Sequence, residues 1–162
     1  MSEREIRLLI VDDEEDLVEY LSKRFTRHGV EVTGVTSGPE AVRAVKGSHF
    51  DVAVLDLKMP DMDGIEVLGE IKDEQPYIEV IMLTGHGSIE AALASGREDA
   101  FKFIAKPHDF DKLLEVVKEA AELKRTRQKE DYLDALNDVN SMSGTPQEIM
   151  ARTEQLRKQF DQ

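Results

Sequence analysis

Five side chains, at four places along the chain, could do chemistry together: Asp12 and Asp13, Asp56, Thr84 and Lys106. Each follows or ends an apolar run. Ile6–Val11 runs into Asp12-Asp13, Asp51–Leu55 into Asp56, Ile78–Leu83 into Thr84-Gly85, and Phe101–Ile104 reaches Lys106-Pro107 one residue later. Carboxylates brought to neighbouring strand ends would repel one another unless a hard divalent cation sat among them. Mg²⁺, which prefers oxygen ligands and keeps waters, suits such a set. A free carboxylate can attack phosphorus and form an acyl phosphate. A hydroxyl and an ammonium can then hold the phosphoryl oxygens. The pattern therefore points to a phosphoryl group accepted by an aspartate.

Taken singly, each piece has an ordinary explanation. The acidic run 12–16 could cap a helix and favour its positive end. Asp56 before Pro60 and Gly64 could be a turn acid. Thr84 could end a strand, and Lys106 could be a solvated lysine. The order of the pieces carries the argument, because each lies at the same end of a different strand.

The elements that must position them alternate. Strand-like runs at Ile6–Val11, Glu31–Val35, Asp51–Leu55, Ile78–Leu83 and Phe101–Ile104 are separated by helix-like segments near 14–28, 38–47, 64–74 and 87–97. A further helix starts near Asp109. Apolar strands between amphipathic helices predict an α/β fold with a doubly wound parallel sheet of five strands. The expected order is 2-1-3-4-5, with the site where strands 1 and 3 diverge. Gly29 reads as a helix stop, Ser37-Gly38-Pro39-Glu40 as a helix start, and Asp63-Gly64 as another.

Residues 109–140 contain neither Gly nor Pro, so the last of these helices is expected to continue. Lys124–Asp131 holds no apolar residue and reads as solvated on every side. Apolar positions return at Tyr132, Leu133, Ala135, Leu136 and Val139. Ser141–Gly144 breaks the helix, and Thr145-Pro146-Gln147-Glu148 is a capping box opening another. The chain is thus expected to divide into 1–123, carrying the chemistry, and 124–162, a C-terminal helical extension or hairpin.

Composition narrows the classes. The 162 residues include no cysteine, which removes disulfides and thiolate metal sites. Apolar runs are only strand length, and the charged N-terminus lacks a signal-peptide pattern, so no membrane span and a cytoplasmic location are expected. The formal net charge is −13. Residues 1–123 hold 14 Lys/Arg against 27 Asp/Glu, whereas 124–162 hold 7 of each. Direct nucleic-acid binding is not expected from such a surface, and no basic recognition helix is present.

With these residues in view, the chain resembles the receiver domains of two-component response regulators, which have a flavodoxin-like fold. The matching stretches are LLIVDDEED (8–16), VAVLDLKMPDMDGIEVL (52–68), VIMLTGHG (80–87) and FKFIAKP (101–107). The wording around Asp56 and Thr84 is closest to receivers of the nitrogen-regulator type. The resemblance implies that Asp56 is the phosphoacceptor, loaded by the phosphohistidine of a sensor histidine kinase. It implies that Asp13 and Asp56 ligate Mg²⁺ directly with the backbone carbonyl of Lys58, while Asp12 acts mainly through a bound water. Lys106 would pair with the phosphoryl group, and Thr84 would move toward it on activation. Phe103 would turn inward as the coupled aromatic switch, and Lys106-Pro107 would be a cis peptide. The output face would be formed by the helix near 87–97, the fifth strand and the helix after it.

Three features depart from that pattern or vary within it. Asp99 stands where a glycine is usual, and His108 where an aromatic or aliphatic residue is common. Lys58 and His86 occupy positions that in this family tune the lifetime of the phosphate. A phosphohydrolase of the haloacid-dehalogenase type would need an acid at 58, and a flavodoxin would not begin its phosphate loop with DDEED. A structural pseudo-receiver would lack Asp56, Lys106 or one of the acidic pair. For output, the reading is a stand-alone regulator whose tail binds a partner or forms a homodimer through residues 124–162. The alternatives are a receiver fragment of a larger transcription activator and a phosphotransfer intermediate.

Overall fold

The computed structural model describes residues 4–60, 63–85, 100, 102–106 and 109–161. Strands β1 (Arg7–Val11), β2 (Glu31–Val35), β3 (Val52–Asp56), β4 (Glu79–Thr84) and β5 (Lys102–Ala105) form one sheet in the order β2-β1-β3-β4-β5. Every neighbouring pair is parallel. The helices are α1 (Glu15–Arg27), α2 (Gly38–Gly47), α3 (Gly64–Glu74), α4 (Phe110–Ser141) and α5 (Pro146–Phe160). The expected fold class and strand order are those observed. The helix expected near 87–97 falls outside the described residues, as do His86, Asp99, Phe101, Pro107 and His108.

Strand side chains alternate between two cores, as period-two geometry requires. Leu8, Ile10, Val54, Ile81 and Leu83 pack with Leu21 and Phe25 of α1 and with Leu113 and Val117 of α4. Leu9, Val11, Ala53, Leu55, Val80 and Met82 pack with α2 and α3 through Ala41, Val45, Val67, Leu68 and Ile71. Both sheet faces are covered, which is why β1 and β3 read as unbroken apolar runs. Each fully buried Leu or Phe contributes roughly 1.5–3 kcal/mol.

The helix signals are met locally. Gly29 adopts φ +78° after α1, a conformation costly for residues with a Cβ. The Ser37 hydroxyl accepts from the Glu40 N–H, and Asp63 Oδ1 from the Ile65 N–H. Gln75, at the end of α3, donates to the carbonyls of Val45 and Ser48 and accepts from the Phe50 N–H. One buried amide thereby satisfies carbonyls that α2 leaves without helical partners.

The chain divides into two compact units, Met1–Lys124 and Arg125–Gln162. In the second, α5 opens with the expected capping box, the Thr145 hydroxyl and the Glu148 carboxylate bonding each other's backbone. The rings of Tyr132 and Phe160 meet at a tilt of 55° with centroids 5.5 Å apart, Gln128 Nε2 donates to the Phe160 carbonyl, and Val139 is buried. These contacts lay the end of α5 against residues 128–132 of α4, side by side as a hairpin. One expectation is corrected: Lys124 is not solvated but 5% exposed, with its ammonium 3.2 Å from Asp51 Oδ1. A lysine's long aliphatic stem lets it bury while its charge finds a partner, which a count of apolar residues does not register. Among the described residues no helix is long and apolar enough to cross a membrane.

Candidate functional site

Register builds the site. Val11 pairs with Leu55, so Asp12, the next residue, emerges beside Asp56, the last residue of β3. On the other side Asp56 pairs with Leu83, and Thr84 with Ala105. Lys106 follows Ala105 immediately. Residues far apart in sequence thus meet at the carboxyl end of the sheet, where strands 1 and 3 are the neighbours whose crossovers lead in opposite directions.

The loop after β3 is held tightly. Gly64 N–H donates to the Leu57 carbonyl at 2.9 Å. A Cβ on Gly64 would lie 2.6 Å from the Asp56 carbonyl oxygen and from Leu57 Cα and carbonyl oxygen. Only glycine permits this approach without moving the backbone of the central aspartate. Lys58, bridged to Asp63, donates its N–H to Asp56 Oδ1 at 3.3 Å.

Asp12, Asp13 and Asp56 each offer an oxygen such that these atoms lie within 4.8 Å of one another. Asp12 and Asp56 are buried, 3% and 7% exposed, whereas Asp13 is open to solvent. Lys106 Nζ donates to Asp12 Oδ2 at 2.6 Å and lies 3.6 Å from Asp56 Oδ2 and 3.8 Å from Glu14 Oε1. Burial raises the Asp56 pKa above the ordinary carboxylate value, reinforced by the Asp12 charge; Lys106 and the Lys58 N–H oppose it, and Asp13 adds to it. Burial works to lower the Lys106 value, but Asp12 by hydrogen bond and charge, with Asp56 and Glu14, outweighs it and holds the ammonium above the ordinary lysine range. A more basic carboxylate is a better nucleophile, and a firmly charged ammonium is a constant phosphoryl partner.

The donor set is carboxylate oxygen throughout, with one open side at Asp13 where waters can complete a shell. That fits Mg²⁺, a hard cation that keeps several waters. Thr84 stands at the end of β4, beside β5. Phe103, on β5, is partly buried against the core that includes Met82. The helix-capping explanation of the acidic run does not hold for its cap residue: Glu14 makes no side-chain capping bond, and its N–H donates instead to Asp12 Oδ1 at 2.9 Å. Glu14 is also the site neighbour that sequence reasoning passed over. Its place in the run DDEED was the available signal.

Comparison with known proteins places these observations. The response regulator receiver domain family matches residues 8–118. The transcriptional regulatory protein GlrR of Escherichia coli K12 is 38% identical over 122 residues, which is 75% of this chain and 28% of GlrR. The chain thus spans under a third of that relative's length. The response regulator TrrA of Thermotoga maritima, solved in complex with Mg²⁺-BeF, superposes with TM-score 0.64 at 32% identity, covering 71% of this chain and 98% of that one. NtrX of Brucella abortus superposes with TM-score 0.74 at 28% identity, covering 96% of this chain and 33% of that chain.

Proposed function

Because the chain belongs to the response regulator receiver domain family, we propose that it accepts a phosphoryl group from a sensor histidine kinase on Asp56 and signals by the change this makes in its packing. Receivers are signalling domains, and the one reaction assigned here is self-phosphorylation with its reversal. The observation that carries the reading is the setting of Asp56: buried at the end of β3, within reach of two further acids and 3.6 Å from an ammonium.

A carboxylate oxygen of Asp56 attacks phosphorus as the P–N bond to the donor's imidazole breaks. The electron pair of that bond leaves with the imidazole nitrogen, which solvent protonates if the donor requires it. The product is an acyl phosphate on Asp56. Lys106 turns one N–H to a phosphoryl oxygen, and the Lys58 N–H stands beside the same carboxylate. Asp13, Asp56 and the backbone carbonyl of Lys58 would hold Mg²⁺ directly, and Asp12 mainly through a bound water; the cation would supply positive charge opposite the phosphoryl oxygens. Thr84 then closes on the added oxygens, and Phe103 fills the space vacated, shifting the population between two packings.

The tail reads as an interaction element, a second copy of the chain being its partner through 124–162. A second reading, that receiver and tail belong to a larger transcription activator, is favoured by the NtrX likeness, which covers 96% of this chain and therefore extends into the hairpin. The length of the native gene decides between them. For the central claim, the protein is incubated with Mg²⁺ and acetyl phosphate and the adduct is mapped by mass spectrometry. Label on Asp56, absent from Asp56→Asn, is the expected result; equal labelling of that variant overturns the assignment.

A further inference from the structure

Lys106 has three N–H donors and three carboxylates around it: Asp12 at 2.6 Å, Asp56 at 3.6 Å and Glu14 at 3.8 Å. The first two belong to the set of acids that can hold a cation, and Glu14 does not. The ammonium therefore spends its shortest bond on an oxygen that a metal would also use. A cation drawn to Asp12 repels that ammonium, which must give up the bond. Asp56 offers no lasting substitute, because it is itself in the metal set and is the group to be phosphorylated.

Glu14 is placed to take the ammonium. Its backbone N–H is fixed on Asp12 Oδ1, so its Cα stays beside the site while its side chain reaches Lys106. As the cap residue of α1 it could have spent its carboxylate on the helix, but it makes no side-chain capping bond. We infer that Glu14 is a positioning residue for Lys106, the anchor to which the ammonium moves when Asp12 turns to the metal, keeping it at the rim where a phosphoryl oxygen arrives. The inference rests on the phosphoacceptor reading above and adds to it a residue that acts through Lys106 and touches neither the metal nor the phosphoryl group.

The test is a Mg²⁺ titration of the full chain by calorimetry, on the parent, Glu14→Gln, Lys106→Met and the double variant, with Asp13→Asn as the control for the site. An exposed carboxylate–ammonium pair is weak, so Glu14→Gln is expected to weaken Mg²⁺ binding by only about two- to fivefold. The coupling is decisive: in the Lys106→Met background the same substitution should leave Mg²⁺ binding nearly unchanged. An equal loss in both backgrounds would mean that Glu14 acts merely as a nearby negative charge and overturns the inference, as does no loss in the parent. If the parent binds no Mg²⁺, or Asp13→Asn binds it equally well, the phosphoacceptor site itself is wrongly assigned and the inference falls with it. Phosphorylation rates with acetyl phosphate at saturating Mg²⁺ give a second reading. Glu14→Gln should slow labelling of Asp56, and Glu14→Asp should restore part of the rate.

Discussion

The ammonium of Lys124 lies 3.2 Å from Asp51 Oδ1, and both side chains are buried, at the end of the sheet opposite the acidic cluster. The other oxygen of Asp51 accepts the Arg7 N–H at 2.9 Å. One carboxylate thus ties the starts of β1 and β3 to α4. Removing one partner of a buried pair leaves the other charge uncompensated, which typically costs about 3–5 kcal/mol. Lys124→Met should lose stability on that scale in urea unfolding. Asp51→Asn/Lys124→Met, which keeps the acceptor for Arg7 but removes both charges, should regain much of it. A loss below about 1 kcal/mol in the single variant, the range of an exposed pair, would contradict the burial.

Asp56 should cost the unphosphorylated fold stability. Its pKa is raised in the folded state by burial and then by Asp12, so the folded chain holds the proton more tightly than the unfolded one. The stabilising contribution of the protonated form is complete below the unfolded value and is lost as pH rises through the folded value. Asp56→Asn should therefore melt above the parent at neutral pH, with the gap narrowing as pH falls below the raised value. A gap independent of pH would argue against a raised pKa.

Mg²⁺ should raise the melting temperature of the unphosphorylated parent. Binding to the folded state alone contributes about 2.7 kcal/mol at a hundredfold excess over Kd. Asp13→Asn should lose most of the shift. Its full retention would place the cation elsewhere.

Thr84 and Phe103 should be separable from the chemistry. Thr84→Ala should still be labelled at Asp56, yet show smaller amide chemical-shift changes around β5 and the start of α4 on phosphorylation. Changes equal to those of the parent would remove Thr84 from the switch.

The hairpin exposes Leu133 at 47% and Met150 at 72%. Such residues suit packing against a second hairpin, giving a small antiparallel four-helix bundle. Light scattering at tens of micromolar should report a dimer for the full chain and a monomer for Leu133→Glu/Met150→Glu. A parent that stays monomeric with and without phosphorylation rules the dimer out.

What the sequence determined by itself is local in origin. Alternating apolar runs predicted five strands, and the observed bounds differ by about one residue because strand ends depend on pairing rather than on composition. Gly29, Ser37, Asp63 and Thr145 marked helix ends through hydrogen bonds made within a few residues. The acids and the lysine of the site were legible because each sits beside an apolar run. Only the tertiary structure decided how they meet. Lys106 bonds Asp12, 94 residues away, more closely than Asp56, and Lys124 is buried on Asp51, 73 residues away. Both outcomes follow from strand order and register, which set distances between charges that no local pattern encodes. The same holds for Gly64, whose turn signal was readable while its 2.6 Å approach to the Asp56 backbone was not. Propensity and capping act over one or two turns of chain, whereas the energy of an ion pair depends on separation and burial, and these exist only once the sheet has closed around its cores.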